Sequence, residues 1–338
     1  MLFAAGLLGA AALALPAAGC RRGPEPIDPG RPDQLAACPE GPHLTIALSV
    51  ARSDVDQAIV RLDGALRPCR GAAVPLSAYG VVTSVGALSD GTDLVGFAES
   101  PRGGRVVRFR DDAEVGRVED DALSPRAIAA IPYQGQPAVA VVWGAGSGSR
   151  SERLDVYAEA DLARLGSWEV SGEFARVAPA PSGQPGRIAA MIDGGLQEHR
   201  FDEGATTPAT TGELAVARPS AGGLVRSLDV YGDRVRVAAR RGVLSWRTGM
   251  APAFLGPVDC RWGAFAGTPL PEEDADYVAA VIDREAPDDS FVLVSGALRD
   301  GSESGVYLYR MMPRGECELV GGIPSGYGAV AMAWTARW

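Results

Sequence analysis

The sequence predicts an all-β fold made of a repeated unit of about fifty residues. From residue 43 onward, short runs of Val, Ala, Ile and Leu are interrupted by Gly, Pro, Asp or Ser every eight to twelve residues, without a helical period. Pairs of these runs also resemble one another. RAIAAIPYQGQPAVAVVWG (126–144) and DYVAAVIDREAPDDSFVLVSG (276–296) each contain an apolar strand, a polar turn and a second apolar strand. The regular spacing of the apolar runs and their similarity to one another indicate short antiparallel strands, each connected to the next along the chain.

The first strand of each unit sets the spacing of the repeat. Anchoring this strand at Val85, Ile128, Val177, Leu228, Val278 and Val330 gives steps of 43, 49, 51, 50 and 52 residues. A third strand alternates apolar and polar residues and carries an aromatic, as in RVVRFRDD (105–112) and GVYLYRMM (305–312). A fourth segment follows, such as EVGRVED (114–120) and CELVGGI (317–323). Each unit therefore consists of four predicted strands.

The two ends of this region complement each other. Residues 328–338 supply a first strand with nothing after it, whereas 43–50, 58–66 and 69–76 supply second, third and fourth strands without a first. One unit shared between the ends closes a ring and leaves no open sheet edge. The pattern resembles a six-bladed β-propeller over residues 43–338. The alternatives are a ring of seven blades or a β-sandwich.

The first twenty residues resemble the signal of bacterial lipoproteins. Leu2 to Gly19 are almost all apolar or small, and they end in Ala17-Ala18-Gly19-Cys20, which is similar to a lipobox. The resemblance implies a signal peptide at 1–19, removed before Cys20, whose thiol carries diacylglycerol and which is labelled by palmitate. Residues 20–42 are rich in Pro and polar groups and are expected to form a tether. The alternative is an uncleaved N-terminal anchor.

The same resemblance implies a location in the cell envelope. Arg21 follows Cys20, and Arg21 is not the Asp that retains such proteins in the inner membrane. The expected location is the outer membrane, where the lipid anchor binds the protein to the membrane. The protein would face the periplasm or the cell surface.

Four further cysteines suit an oxidising compartment, since an even number can pair. Cys38 precedes a second strand and Cys69 follows a third strand of the shared blade, so both fall at one end of that blade and are expected to form a disulfide. Cys260 and Cys317 are the remaining pair. The strand assignment puts them at opposite ends of neighbouring blades, so two buried free thiols are the alternative.

Composition excludes several classes of protein. The net charge is −10, and all 32 basic residues are arginines. A nucleic-acid partner is not expected, because phosphate binding requires clustered basic groups. A mean hydropathy of +0.03 and 46% apolar residues exclude a polytopic membrane protein and a disordered chain alike.

Motifs that would indicate catalysis are lacking. The two histidines, His43 and His199, belong to no zinc-binding pattern and are interpreted as surface or packing residues. A nucleophile elbow and a phosphate-binding loop are also lacking, so neither catalytic residues nor a cofactor are predicted. Acidic turns containing Asp90 and Asp93, or Asp283 and its neighbours, could hold calcium, but no calcium-loop motif is present.

The sequence therefore favours a non-catalytic binding or scaffold module in the cell envelope. Arginines on the loops between second and third strands, with the acidic residues 272–276, suggest a protein or glycan partner on that face. The candidate binding residues are Arg102, Arg150, Arg240, Arg241 and Asp274. The alternative is a calcium-dependent lactonase or hydrolase that works in the central channel.

Overall fold

The computed structural model shows antiparallel sheets arranged in a ring. It describes residues 27–28, 31–50, 56–99, 103–145, 151–171, 174–180, 187–192, 195–200, 209–215, 225–239, 242–248, 253–255, 276–296, 305–313, 317–323 and 326–336. In these ranges the helices are a short 3-10 helix, Pro32–Gln34, and α1, Leu76–Tyr79. Neither of them has the length or the apolar character needed to cross a membrane.

The described strands follow one another along the chain. They are β1 (Leu44–Val50), β2 (Gln57–Leu62), β3 (Pro68–Val74), β4 (Val81–Ala87), β5 (Asp93–Ala98), β6 (Gly104–Arg110), β7 (Ala113–Asp120), β8 (Ser124–Tyr133), β9 (Gln136–Gly144), β10 (Ser151–Ala158), β11 (Arg164–Ser171), β12 (Phe174–Pro179), β13 (Arg187–Ile192), β14 (Gly195–Arg200), β15 (Ala209–Ala215), β16 (Val225–Tyr231), β17 (Arg234–Ala239), β18 (Gly242–Arg247), β19 (Ala253–Leu255), β20 (Asp276–Ile282), β21 (Ser290–Gly296), β22 (Gly305–Met311), β23 (Cys317–Ile323) and β24 (Tyr327–Trp334).

Within the described residues, the strands form six four-stranded sheets. We number the sheets as blades: β4–β7 form blade 1, β8–β11 blade 2, β12–β15 blade 3, β16–β19 blade 4, β20–β23 blade 5, and β24 with β1–β3 blade 6. The first strands of neighbouring blades contact one another around the centre. The molecule is thus a six-bladed β-propeller, which confirms the fold predicted from the repeat.

The ring is closed in blade 6 by strands from distant parts of the chain. β24 lies beside β1 in the strand order β24-β1-β2-β3, with Trp334 opposite Leu44 and Met332 opposite Ile46. The shared blade predicted from the ends of the sequence is therefore confirmed. Phe291 of blade 5 stacks on Trp334 with ring centroids 5.2 Å apart, so the closing strand also packs against its neighbour.

Each first strand carries one extra residue that has no partner on the second strand. These bulged residues are Thr83, Arg126, Ala175, Arg226, Val278 and Val330. Each bulge lies two residues before the structurally equivalent centre of its strand. The residues that mark the repeat spacing coincide with these centres in blades 1 to 4, whereas Val278 and Val330 are the bulged residues of blades 5 and 6. A bulge interrupts the alternation of faces along a strand, and the hydrophobic pattern of these apolar strands could not reveal its position.

The segment before the propeller is docked on its outer rim from residue 27. Ile27 is buried, and its N–H donates to the carbonyl oxygen of Gly322 in β23 at 2.9 Å. The 3-10 helix contacts β3, and Arg70 Nε donates to the Leu35 carbonyl at 3.1 Å. Part of the stretch expected to be a tether therefore packs against the propeller.

Cys38 and Cys69 form the predicted disulfide, with Cα atoms 4.9 Å apart. The bond joins the docked N-terminal segment to β3 of the closing blade. Cys317 is also disulfide-bonded, while its predicted partner, Cys260, lies outside the described residues. The Cys260–Cys317 pairing remains a prediction.

Replacing both Cys38 and Cys69 by Ser is expected to lower the free energy of unfolding by about 3 kcal/mol, because the bond closes a loop of about thirty residues in the unfolded chain. Urea unfolding of the oxidised protein and the double variant measures the difference. Ser49→Ala, a change in the same blade away from the bond, serves as the control. An unchanged unfolding midpoint in the cysteine variant would contradict the expected effect.

Candidate functional site

The six first strands surround a central channel with an apolar waist. Five of the equivalent strand centres line the cavities on both sides of the waist: Val85, Ile128, Val177, Leu228 and Met332. Because all first strands run in the same direction around the ring, their N-terminal ends surround one mouth and their C-terminal ends surround the other. The two mouths differ sharply in character.

The larger cavity lies at the C-terminal ends of the first strands, and we call it the apolar cavity. Its volume is about 610 Å³, within the range of sites that bind small organic molecules. Small and apolar side chains form most of its wall, among them Ala87, Ala130, Pro132, Ala180 and Trp334. The small side chains leave the space open, since the first strands contribute Ala where larger residues would fill the channel.

One corner of the apolar cavity contains a paired charge. Arg284 Nη1 and Nη2 donate to the two carboxylate oxygens of Asp229 at 2.8 and 2.9 Å. Asp229 also accepts the Ile282 N–H at 2.7 Å, and the Arg284 guanidinium lies over the Tyr231 ring, 4.7 Å from its centroid. The bidentate pair links blades 4 and 5, and it neutralises both charges before any ligand enters.

The opposite mouth is narrow and basic, and we call it the arginine mouth. A cavity of about 60 Å³ lies there, and Arg126, Arg176 and Arg226 line it. They come from blades 2, 3 and 4, at or directly after the bulge of each first strand. Sequence reasoning did not predict these residues. The repeated position of Arg126 and Arg226, two residues before a strand centre, was the available signal.

The acidic turns considered as calcium ligands are paired with arginines instead. Asp90 accepts from Arg108 at 2.8 Å and from Arg110 at 3.1 Å. Burial acts to raise the pKa of Asp90, but the hydrogen bonds from Thr92 and the charge of Arg108 outweigh it and lower the pKa below its usual value. Arg310 Nη2 lies 3.1 Å from Asp283 Oδ2, and Arg310 Nε lies 2.9 Å from Asp289 Oδ2. In the described ranges, no group of three or more His, Cys, Asp or Glu residues could hold a metal ion.

Asp93 is buried at the junction of blades 1 and 6 rather than exposed on a turn. Its carboxylate accepts hydrogen bonds from Arg61 and from Thr45, the latter at 2.6 Å, and lies 3.2 Å from His43 Nε2. Burial alone would raise the pKa of Asp93, but the positive charge of Arg61 and the bonds from His43 and Thr45 together lower it. His43, placed among the surface or packing residues by sequence, is buried in this network, and its Nδ1 lies 3.2 Å from Thr335 Oγ1.

The binding and lipidation residues predicted from sequence lie outside the described residues. They are Cys20, Arg102, Arg150, Arg240, Arg241 and Asp274. Arg105, the first residue of the predicted third strand 105–112, belongs to β6 and pairs with Glu99. The loop-face site stays a prediction.

Comparison with known proteins finds similar structures but no related sequence. Neither a protein-family model nor a curated protein matches the sequence. A luciferin-regenerating enzyme is similar, with a TM-score of 0.50 and 12% identity over 88% of this chain and 94% of that chain. Hydrazine synthase of Kuenenia stuttgartiensis gives a TM-score of 0.49 and 14% identity over 92% and 90%. The lectin of Aleuria aurantia gives 0.46 and 15% over 86% and 98%. At 12% identity, the similarity to the luciferin-regenerating enzyme concerns the fold alone.

Proposed function

We propose that this protein is an exported, lipid-anchored β-propeller of the bacterial cell envelope that binds a small, uncharged and largely apolar molecule without transforming it. The observation that carries the proposal is the apolar cavity, whose walls are mostly Ala, Val, Pro and Leu side chains. Binding of an apolar ligand that fits this space is favourable, because the transfer of its apolar surface out of water lowers the free energy.

The charges beside the cavity support an uncharged ligand. Asp229 and Arg284 neutralise each other, and Arg234, which also lines the cavity, donates to Asp288 at 2.8 Å. A charged ligand would lose its hydration without gaining an unpaired partner there.

The same pairing supports binding rather than catalysis. Asp229 is the sole carboxylate among the described residues that line the cavity, and both of its oxygens are bonded to Arg284. A calcium-dependent lactonase or hydrolase requires several inward-facing carboxylates. No contact in the described channel favours that alternative.

The uncharged fluorescent probe N-phenyl-1-naphthylamine tests the apolar cavity. We expect saturable binding with one site per chain and at least about tenfold weaker binding to Ala130→Phe, since the larger side chain fills the cavity. Ala113→Phe makes the same change on the exposed start of β7 and should bind as the wild type does. Equal binding to all three proteins, or none to the wild type, refutes the proposed cavity function.

Palmitate labelling tests the anchor that the lipobox-like sequence implies. In a Gram-negative host we expect label on the full-length chain and none on Cys20→Ser, with the wild type in the outer-membrane fraction. Cys38→Ser should keep its label, because it changes a cysteine of the disulfide instead. Absence of label from the wild type would leave the binding function standing and remove the anchor from the proposal.

The predicted protein or glycan partner belongs to the same proposal. In blade 1, the described strands that flank the loop of Arg102 end on the side of the arginine mouth, because Ala98 pairs with Val81 at the start of the first strand. Exchange of Arg240 and Arg241 for Glu should release a partner that co-purifies through this face. Retention of the partner would count against a role for these two arginines.

A further inference from the structure

We infer that a groove between blades 1 and 2 binds a saccharide, and we call it the polar groove. It is a cavity of about 450 Å³, within the range of sites that hold small molecules, and residues of β6, β7, β9 and β10 line it. The polar groove shares no lining residue with the apolar cavity. The inference therefore does not rest on the proposed function.

The blade 1 wall of the polar groove combines arginines with an exposed apolar side chain. Arg108 and Arg110 lie two residues apart on β6 and share a face of the strand. In β7, Val115 is a bulged residue, because Arg108 pairs with Gly116 and Phe109 pairs with Glu114. A bulge redirects a side chain, and Val115 is 49% exposed and lines the groove beside the arginines.

A tight hairpin turn places an amide on the opposite wall. Gln134 and Gly135 connect β8 to β9 with positive φ angles of 49° and 76°, as a two-residue hairpin turn requires. Gln136 and Pro137 follow at the rim and line the groove. Gln136 is exposed, and its amide makes no hydrogen bond within the described part of the chain. An amide offers both donors and an acceptor to a ligand.

Arg110 is oriented but keeps most of its donors available. Asp90 Oδ2 accepts from Arg108 Nη2 at 2.8 Å and from Arg110 Nη2 at 3.1 Å, while Thr92 donates twice to Asp90 Oδ1. Asp90 is the one partner of the Arg110 side chain among the described residues, and this side chain is 63% exposed. A guanidinium has five N–H groups, so Arg110 can donate to ligand oxygens as well.

A carboxylate at the inner end of the groove has one oxygen without a donor. Glu159 lines the groove and is 5% exposed, and the Ser89 N–H and hydroxyl both donate to its Oε1. Its Oε2 has no hydrogen-bond partner in the structure. A buried oxygen without a donor is costly, so a hydroxyl group that reaches Glu159 would form a favourable hydrogen bond.

The chemistry of the lining favours a neutral ligand with several hydroxyl groups. The charged residues that line the groove within the described ranges are two acidic and two basic, Asp90 and Glu159 with Arg108 and Arg110, so their charges cancel. A hydroxyl both donates and accepts, which matches the donors of Arg110, the amide of Gln136 and the acceptor of Glu159. Val115 and Pro137 offer apolar contacts to the C–H face of a sugar ring.

Saturation-transfer difference NMR of the full-length chain tests the site with three uncharged disaccharides: cellobiose, maltose and N,N′-diacetylchitobiose. We expect saturable binding of at least one of them. The same disaccharide should not displace N-phenyl-1-naphthylamine from the apolar cavity, because the two sites have separate walls.

Variants connect the binding to the named residues. Arg110→Ala should weaken binding of that disaccharide at least about tenfold, because a hydrogen bond from a charged donor is lost, and Gln136→Ala should weaken it about fivefold. Arg247→Ala is the matched control. Arg247 is an exposed arginine at the same end of β18, the third strand of blade 4, and this variant should bind as the wild type does. A thermal unfolding curve for each variant separates loss of the site from loss of the fold.

Three results overturn the inference: no saturation transfer to any of the three disaccharides, equal weakening in Arg110→Ala and Arg247→Ala, or displacement of N-phenyl-1-naphthylamine by the bound disaccharide. A wild type that binds the disaccharide but not N-phenyl-1-naphthylamine refutes the apolar site alone. The failure of the saccharide site and the failure of the proposed function are therefore distinguishable.

Discussion

Replacement of Asp93 by Asn is expected to lower the free energy of unfolding by about 3–5 kcal/mol, since removal of one partner leaves the other charge buried without compensation. The side chain of Arg61 is 2% exposed, and its Nε donates to Asp93. The remaining acidic neighbour, Asp111, is 3.6 Å away and 43% exposed, so it cannot replace Asp93. Guanidinium chloride unfolding of the two proteins measures the effect.

The control for Asp93→Asn is Asp233→Asn, which removes a half-exposed partner of Arg234 and should cost less than about 1 kcal/mol. Combining Asp93→Asn with Arg61→Met should cost less than the sum of the single changes, because the stranded charge is removed as well. Equal losses at Asp93 and Asp233 would show that the buried network contributes no more than a surface pair.

The contribution of this buried network to the free energy of unfolding should depend on pH. The folded state holds the pKa of Asp93 below its usual value, so this carboxylate contributes stability above the unfolded pKa of about 3.9. That contribution is lost as the pH falls through the lower pKa of the folded state. Wild-type stability should therefore decline more steeply than that of Asp93→Asn below about pH 4, as measured by unfolding midpoints at successive pH values.

Removal of residues 327–338 is expected to abolish cooperative unfolding of the monomer. The deletion takes away β24, so β1 loses one of its two neighbouring strands and presents a free edge, and Phe291 loses the stacked ring of Trp334. Circular dichroism and size-exclusion chromatography should show a chain that aggregates or lacks a sharp thermal transition.

A peptide of residues 327–338 should restore the fold when it is added to the shortened chain, because it can pair with β1 as β24 does. The same peptide with Met332→Asp and Trp334→Asp should fail, since both side chains are buried in the core beside blade 5. A shortened chain that melts as a monomer at the wild-type temperature would contradict closure by β24 as the source of stability.

Much of the fold could be predicted because the repeat in the sequence corresponds to the repeated blades of the structure. Each blade buries the same faces against its neighbours, so apolar runs recur at a near-constant spacing and the strands of blade 6 are recognisable at both ends. The positions of the bulges could not be predicted. Val278 and Ala280 are both apolar, and hydrophobicity favours the larger residue, although Val278 is the bulged residue of its strand.

The candidate sites were less predictable because they depend on contacts between blades. Asp229 and Arg284 lie 55 residues apart, and the packing of β16 against β20 of the next blade brings them together. Asp90 and Asp93 are both acidic residues near one turn, yet Asp90 lies on the rim and Asp93 is fully buried. Local sequence does not show that difference, since Arg61 and His43 come from another blade.

The bond from Ile27 to Gly322 has a consequence for the proposed anchor. With Cys20 lipidated as proposed, seven residue steps separate the lipid from the docked Ile27, and a fully extended chain covers at most about 25 Å over that distance. With so short a tether, the rim of blades 5 and 6 would lie near the bilayer, and blades 2 and 3 would lie on the side of the ring away from it. A partner of this protein would then meet it from the side that points away from the membrane.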